Sequence, residues 1–212
     1  MVYSRFFLPI KLTMSARLLS LLSFIVLAVA QAIAPAAQAS PAELVAAARS
    51  QVGVTLSYDP RYERLAYPGG DVPIERGVCT DVIVRAYRKL GQDLQVLVHQ
   101  DMKQSWAVYQ KQGRWQMKAP DRNIDHRRVP NLATFFARHG TSLPVSKDGS
   151  AYRPGDIVTW MLPGNLTHIG IVSDKRTGAG TPLMIHNIGA GTREENMLFD
   201  FPVTGHYRWQ PK

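Results

Sequence analysis

The sequence contains a single cysteine, Cys79, so no disulfide can form within the chain. This excludes a small secreted scaffold held together by disulfides. A lone thiol is unusual in an exported protein, because an oxidising compartment pairs or damages free thiols. Cys79 is therefore either a small buried apolar residue or a reactive group, and its surroundings must decide between the two.

Long apolar runs are also scarce, and the one clear run lies near the N-terminus at residues 18–30. Basic residues precede it, and Ala37-Gln38-Ala39 matches the small-x-small pattern that signal peptidase cuts. We therefore expect residues 1–39 to be a cleaved signal peptide, with Ser40 as the first mature residue and Met14 as an alternative start. The alternative is a retained membrane anchor. No other segment is apolar enough to cross a membrane.

Acidic residues are outnumbered, with 16 acidic against 25 basic residues. The predicted signal peptide contains three of the basic residues and no acidic one, so the rest of the chain keeps a positive charge. Such a charge suits an anionic polymer of the cell wall or envelope. Basic and aromatic residues do not alternate, which argues against nucleic acid as a partner. We expect a periplasmic or secreted monomer with no stable membrane insertion.

Helical patterns come first in the mature chain and strand patterns follow, which indicates an α+β fold. Residues 40–212 are long enough for a single domain with a real core. Ser40 begins a capping-box motif, and Asn131 is a second candidate cap. The predicted helices are 41–52, 80–90, 94–112 and 131–138, and the predicted strands are 156–161, 168–173, 183–187 and 206–209.

Three residues could carry chemistry: Cys79, His168 and His186. Cys79 begins an amphipathic helix, where the helix dipole favours a thiolate. His168 and His186 lie on neighbouring predicted strands of one sheet. If the sheet packs on the Cys79 helix, His168 can take the thiol proton and hold the thiolate as an ion pair. His186 can then orient His168 through its other ring nitrogen.

Other interpretations of these residues stay open at this level. A lone cysteine is most often a small apolar core residue, and a histidine on a strand is often structural. His186 and Asn187 are adjacent, so only one of them can point at His168. A zinc site built from Cys79 and the two histidines has suitable ligand types but no short-spaced ligand pair. We therefore expect neither a metal nor another cofactor.

Four segments resemble the papain-like NlpC-type cell-wall peptidases. The segments are Cys79-Thr80-Asp81, Arg153-Pro154-Gly155-Asp156-Ile157-Val158, Thr167-His168-Ile169-Gly170-Ile171-Val172 and Met184-Ile185-His186-Asn187. A wider set resembles domain-of-unknown-function family 1287, a family of exported bacterial proteins in that clan. That set is Tyr58-Asp59-Pro60, Tyr67-Pro68-Gly69-Gly70-Asp71, Gly77-Val78-Cys79-Thr80-Asp81, His126-Arg127-Arg128-Val129-Pro130-Asn131-Leu132 and Ile185-His186-Asn187-Ile188-Gly189.

The resemblance implies a papain-like domain in which N-terminal helices pack on a C-terminal antiparallel sheet. It implies Cys79 as nucleophile, His168 as base and His186 as the orienting residue. Tyr67 matches a tyrosine that lines the site in NlpC-type enzymes, with Tyr58 as its rival. The chain departs from that pattern at Val78, where the enzymes have aspartate, and at Thr80-Asp81, where they have Ser-Gly.

The implied activity is that of a cysteine peptidase or amidase acting on an amide bond, with peptidoglycan as the expected substrate. Arg127 and Arg128, with His126, could hold a carboxylate or phosphate of that substrate. Asp81 and Asn187 are further candidate substrate contacts. Because the nucleophile motif is altered, a papain-like module that binds a wall or envelope ligand without turnover is the alternative. Acyl transfer to another acceptor would need the same cysteine and histidine.

Overall fold

The computed structural model describes residues 39–112 and 118–210, so all but the last residue of the predicted signal peptide lies outside the described residues. The helices are α1 (Pro41–Arg49), α2 (Cys79–Lys89), α3 (Leu94–Gln104), α4 (Trp106–Gln112) and α5 (Val129–His139). The strands are β1 (Ser57–Tyr58), β2 (Arg76–Gly77), β3 (Thr141–Ser142), β4 (Ile157–Leu162), β5 (Leu166–Arg176), β6 (Pro182–Asn187), β7 (Thr192–Glu195) and β8 (Val203–Arg208).

The helices begin where the sequence supplies a cap. At α1, the Ser40 hydroxyl accepts a hydrogen bond from the Glu43 N–H, and the Glu43 carboxylate accepts one from the Ser40 N–H. This is the predicted capping box. At α2, Asp81 accepts a hydrogen bond from the Val78 N–H at 2.7 Å. Val78 is thus the N-cap residue and Cys79 is the first residue of α2.

Six strands form one antiparallel sheet in the order β3-β8-β4-β5-β6-β7. Strands β4 to β7 run as a meander, and β8 returns to the free edge of β4. One face of this sheet packs against the helices. The predicted α+β class is confirmed, and the helix-on-sheet arrangement agrees with the layout that the NlpC-type resemblance implies. Among the described residues, no helix combines the length and apolar character needed to span a membrane.

Alternating residues of the sheet face two separate cores. Ile157, Ile169, Ile171 and Ile185 join the main core with the helices. The residues on the opposite face pack in a second, smaller core under the chain that follows β7. That second core is formed by Tyr152, Val158, Trp160, Val172, Met184, Met197 and Leu198. The strands are therefore buried on both faces over their central part.

The predicted helices 94–112 and 131–138 differ from those of the structure. Ser105, at φ −128° and ψ 34°, leaves helical geometry and separates α3 from α4. Asn131 does not cap α5, which begins at Val129. The Asn131 amide instead donates a hydrogen bond to the Asp125 carbonyl at 3.0 Å, and Pro130 fits the first turn because that turn needs no N–H.

Strand β7 and the three two-residue strands β1, β2 and β3 were not among the predicted strands. The sequence of β7 is Thr-Arg-Glu-Glu, which has no apolar alternation. Its side chains face polar partners, such as the pair of Arg49 and Glu194, whose N–O distance is 2.7 Å. Hydrophobic periodicity cannot detect a strand whose faces are both polar or half-buried.

Candidate active site

Cys79 is the first residue of α2 and is only 3% exposed. Its helix packs against β5, and its sulfur lies at a point where β5 has no strand on one side. The β5–β6 pairing begins at Ile171 and Ile185, whereas β5 itself extends back to Leu166. The backbone N–H of Ile169, which the β5–β6 pairing does not include, lies beside the Cys79 sulfur and lowers its pKa. This contact places Cys79 beside the residue that follows His168.

The backbone N–H groups of Ile169 and Thr80 and the hydroxyl of Tyr58 lie beside the Cys79 sulfur, and each of them lowers the pKa of the thiol. Burial raises the pKa of Tyr58 above its ordinary value, so its hydroxyl keeps its proton and remains a donor. Donors of this kind stabilise a thiolate more than a thiol. The surroundings of the sulfur are thus arranged to receive negative charge.

Burial, together with the nearby Asp81 carboxylate, nevertheless raises the pKa of Cys79 to about 12. Burial also lowers the pKa of His168 to about 3 and that of His186 to about 4. In this structure the thiol and both imidazoles are neutral at pH 7. The expected thiolate–imidazolium ion pair is therefore not the resting state, because each charge would have to be held in a dry environment.

His168 and His186 form a buried, hydrogen-bonded pair. His168 is 2% exposed and His186 is 0% exposed. Nε2 of His168 lies 3.0 Å from Nδ1 of His186, and the two rings meet edge to face. Since this contact occupies Nε2 of His168, only Nδ1 of His168 is left to exchange a proton with another group.

Trp160 and Gly170 hold the two imidazoles in place. Trp160 lies opposite His168 in the β4–β5 pairing, and their ring centroids are 5.7 Å apart. Gly170 lies between His186 and Trp160: a Cβ built on it would be 3.1 Å from the His186 Cβ and 3.3 Å from a Trp160 ring carbon. The glycine of the His-Ile-Gly-Ile segment thus gives His186 the room to reach His168.

The other ring nitrogen of His186 points towards β7. Nε2 of His186 is buried and makes no hydrogen bond of regular geometry, yet it lies 3.2 Å from Oε1 of Glu195. The short distance puts the carboxylate within electrostatic contact, although the angle falls short of a hydrogen bond. The Glu195 side chain is 39% exposed, so this series of contacts runs from the interior to the surface.

A cleft of about 540 Å³ opens over Cys79 and His168. Tyr58, Arg127 and Arg128 line it as well. The remaining wall is largely apolar and is formed by Pro60, Tyr62, Val78, Ile124, Val129, Leu162, Leu166 and Ile188, with Asn165 and Thr167 as polar members. Since a ligand in this cleft reaches the sulfur and the imidazole together, the cleft is the candidate active site.

Asp81 and Arg127 form a buried ion pair behind the cleft. Arg127 donates from Nε to Oδ1 of Asp81 at 3.0 Å and from Nη2 to Oδ2 at 2.9 Å. It also donates to the backbone carbonyls of Asp59 and Arg61. The structure thus engages both Asp81 and Arg127 internally, and this pair fixes the start of α2 to the loop that carries Tyr58.

The remaining candidate residues lie at different places. Tyr67 packs against His99 and Arg122, whereas it is Tyr58 that contacts the sulfur of Cys79. Asn187 donates to the backbone carbonyls of Ser57 and Gly77, so the residue of the 186–187 pair that faces His168 is His186. Arg128 lines the cleft with Arg127.

Sequence analysis did not identify Trp160, Glu195 or the backbone of Ile169 as parts of the site. The signal for Trp160 was available, because a tight β4–β5 hairpin through the 163–165 turn pairs it with His168. No sequence signal pointed to Glu195, since β7 itself was not predicted. The role of the Ile169 N–H depends on where β6 ends, which is a property of the assembled sheet.

Comparison with known proteins gives the family. Residues 45–209 match the domain of unknown function DUF1287. The chain is also 57% identical over 162 residues to "Uncharacterized protein YijF" of Escherichia coli (strain K12), across 76% of this chain and 78% of that protein. The chain therefore belongs to the DUF1287 family.

One solved structure is similar in its coordinates, that of NlpC1 from Trichomonas vaginalis. The TM-score is 0.43 and the sequences are 15% identical, over 85% of this chain. The chain spans about half the length of that protein, with 47% covered. A similarity of this size does not establish a shared fold or activity, so the α+β description depends on the elements given above.

Proposed function

We propose that this protein is an exported thiol hydrolase that cleaves an amide bond through Cys79, His168 and His186. The observation that carries the proposal is the placement of the Cys79 sulfur. It lies at a helix N-terminus, beside the N–H of Ile169, and shares a cleft with His168, which is itself hydrogen-bonded to His186.

The neutral resting state sets the order of the proton transfers. As the Cys79 sulfur attacks the substrate carbonyl, Nδ1 of His168 takes the thiol proton, so charge develops only while the C–S bond forms. The resulting imidazolium then gives that proton to the leaving amine, and the C–N bond breaks to leave a thioester. Water, deprotonated by His168, hydrolyses the thioester and restores the thiol.

The carbonyl oxygen becomes negatively charged in the first step and needs hydrogen-bond donors. The backbone N–H of Cys79, at the positive end of α2, is our candidate for one of them. Cys79 thus supplies both the attacking atom and part of the stabilisation of its product. The Ile169 and Thr80 N–H groups and the Tyr58 hydroxyl stabilise the sulfur itself whenever it carries charge.

Peptidoglycan is the proposed substrate. The predicted export of the chain, its excess of basic residues and its resemblance to NlpC-type cell-wall peptidases support this choice. Peptidoglycan also contains the required bond, since its stem peptides are joined by amides. Arg128, at the wall of the cleft, is placed to attract a carboxylate of such a stem.

Digestion of purified sacculi tests the proposal. The wild-type protein is expected to release soluble fragments, and Cys79→Ala and His168→Ala are expected to lower the rate by a thousandfold or more, on the order found for single losses in other catalytic triads. His139→Gln is the matched control, because this histidine lies on α5 with a side chain that is 41% exposed. Equal release by wild type and Cys79→Ala would show that the proposed role is wrong.

A second candidate is a binding module without turnover, and one observation favours it. Cys79 is 3% exposed and its pKa is raised to about 12, which suits an inert buried thiol. Alkylation by iodoacetamide separates the two functions. A nucleophile served by His168 is expected to react about tenfold more slowly in His168→Ala at pH 7, whereas an inert thiol reacts equally slowly in both proteins.

A further inference from the structure

We propose that Glu195 is a positioning residue that selects the histidine tautomers needed for His168 to act as a base. This inference rests on the proposed function, since it concerns the same Cys79–His168–His186 site. It starts from two distances: Nε2 of His168 to Nδ1 of His186 is 3.0 Å, and Nε2 of His186 to Oε1 of Glu195 is 3.2 Å.

A hydrogen bond between two neutral imidazoles can be made in two ways, because each ring carries one N–H and one bare nitrogen. In the first, His168 donates from Nε2, so its Nδ1 is bare and can accept the thiol proton of Cys79. In the second, His186 donates from Nδ1, so Nδ1 of His168 already carries hydrogen and cannot act as a base. Only the first arrangement is competent for catalysis.

The group beside Nε2 of His186 distinguishes these arrangements. In the first arrangement Nε2 of His186 carries a hydrogen, which is attracted to the Glu195 carboxylate. In the second the nitrogen is bare and its lone pair faces a negative oxygen, which is unfavourable in a buried site. The Nε2 atom has no hydrogen-bond partner among the described residues, so the Glu195 carboxylate at 3.2 Å is the charged group it faces. Glu195 therefore favours the competent arrangement of His168 by acting through His186.

Other charged groups near His186 do not supply this selection. Arg193 lies opposite His186 in the β6–β7 pairing, and its charge opposes protonation of the ring, whereas Asp200 favours it. Both act on the total charge of His186 at a distance. His168, the remaining titratable neighbour, contacts the Nδ1 side. Glu195 is the carboxylate within 4 Å of the ring nitrogen that the tautomer choice concerns.

Nitrogen NMR of the purified protein labelled with ¹⁵N-histidine tests the inference, because the shifts of bare and protonated ring nitrogens differ widely. At pH 7, wild type is expected to show a bare Nδ1 on His168 and a protonated Nε2 on His186. In Glu195→Gln the amide can donate as well as accept, so the second arrangement is expected to become populated. Asp200→Asn is the matched control, since it removes a nearby carboxylate without touching Nε2.

Activity gives a second readout. Sacculus hydrolysis at pH 7 is expected to fall about tenfold in Glu195→Gln, the order seen when an outer partner of a functional imidazole is removed, and Glu195→Asp is expected to recover part of it. Identical tautomers in wild type and Glu195→Gln would overturn the inference, as would a wild-type His168 with a protonated Nδ1. Wild-type tautomers as proposed without any sacculus digestion would overturn the proposed function alone.

Discussion

At the scale of single residues, the site depends on the missing side chain of Gly170 as much as on its reactive groups. Gly170 lets His186 and Trp160 approach β5 closely, and each of them then contacts His168. A buried imidazole pair is sensitive to small displacements, because a hydrogen bond of 3.0 Å weakens steeply when its atoms separate or tilt. We expect glycine to be required here because it has no Cβ, and not because of its backbone dihedral angles.

Replacing Gly170 with alanine tests this point. The added methyl would be 3.1 Å from the His186 Cβ and from the Ile185 carbonyl oxygen, so one of these must shift. We expect a loss of about 1–3 kcal/mol in the free energy of unfolding, measured by urea denaturation, with reduced hydrolysis of sacculi. Gly178→Ala is the control, since a methyl there meets nothing within 4 Å. Two variants of equal stability would contradict the expectation.

At the scale of secondary-structure elements, the start of α2 is held by polar contacts. Asp81 caps the Val78 N–H and accepts two hydrogen bonds from Arg127, whose remaining donors reach the carbonyls of Asp59 and Arg61. The side chains of Asp81 and Arg127 are only 4% and 2% exposed. The ion pair therefore joins α2, the loop next to Tyr58 and the turn before α5 into one frame around the sulfur.

Breaking the Asp81–Arg127 ion pair should lower the free energy of unfolding more than breaking an exposed ion pair does. Arg127→Leu leaves the Asp81 carboxylate buried without its partner, so we expect a loss of about 3–5 kcal/mol in the free energy of unfolding. The double variant Arg127→Leu with Asp81→Asn should recover part of this, because no uncompensated charge remains. Calorimetry or urea denaturation measures both.

Arg61→Ala is the matched control for this prediction. Arg61 pairs with Asp59, but its side chain is 74% exposed, so solvent screens the interaction. We expect Arg61→Ala to lower the free energy of unfolding much less than Arg127→Leu does. If Arg127→Leu were no more destabilising than Arg61→Ala, the pair would not hold the start of α2 in the way described.

At the scale of the whole molecule, several buried histidines make the fold sensitive to acid. Burial lowers the pKa of His126 and His168 to about 3 and that of His186 to about 4, from an ordinary value of 6.5. The folded protein therefore holds these rings neutral while the unfolded chain binds protons below pH 6.5. Stability is fully present above that pH and is lost as the pH falls from 6.5 towards 3.

His126 tests this dependence without touching the proposed catalytic groups. When the pH falls from 7 to 5, one buried neutral histidine lowers the free energy of unfolding by about 2 kcal/mol, because the unfolded chain gains a proton there. Over that range the free energy of unfolding of His126→Gln should therefore fall by about 2 kcal/mol less than that of wild type. Urea denaturation at a series of pH values measures the difference. Equal slopes in wild type and His126→Gln would contradict the assignment.

The sequence by itself determined the class of the fold and pointed to Cys79, His168 and His186, of which the structure places the first two on one cleft and the last two in hydrogen-bond contact. Local signals sufficed for α1 and α2, because caps and apolar spacing act within a few residues, and the strands around His168 and His186 carried apolar alternation. The same signals failed at β7, whose Thr-Arg-Glu-Glu sequence has none. They also failed at Ser105, which leaves helical geometry, and at Asn131, whose amide donates to the Asp125 carbonyl instead of capping α5.

Only the tertiary structure decided how these residues meet. It set Tyr58 against the sulfur while Tyr67 lies against His99, and it committed Asp81 and Arg127 to each other. It also made the thiol and the imidazoles neutral, because pKa values depend on burial and on neighbours that the chain brings in from far away. Spacing along the sequence carries no information about how far water is excluded from a site, and this exclusion governs the charge of the Cys79 thiol and of the His168 and His186 imidazoles.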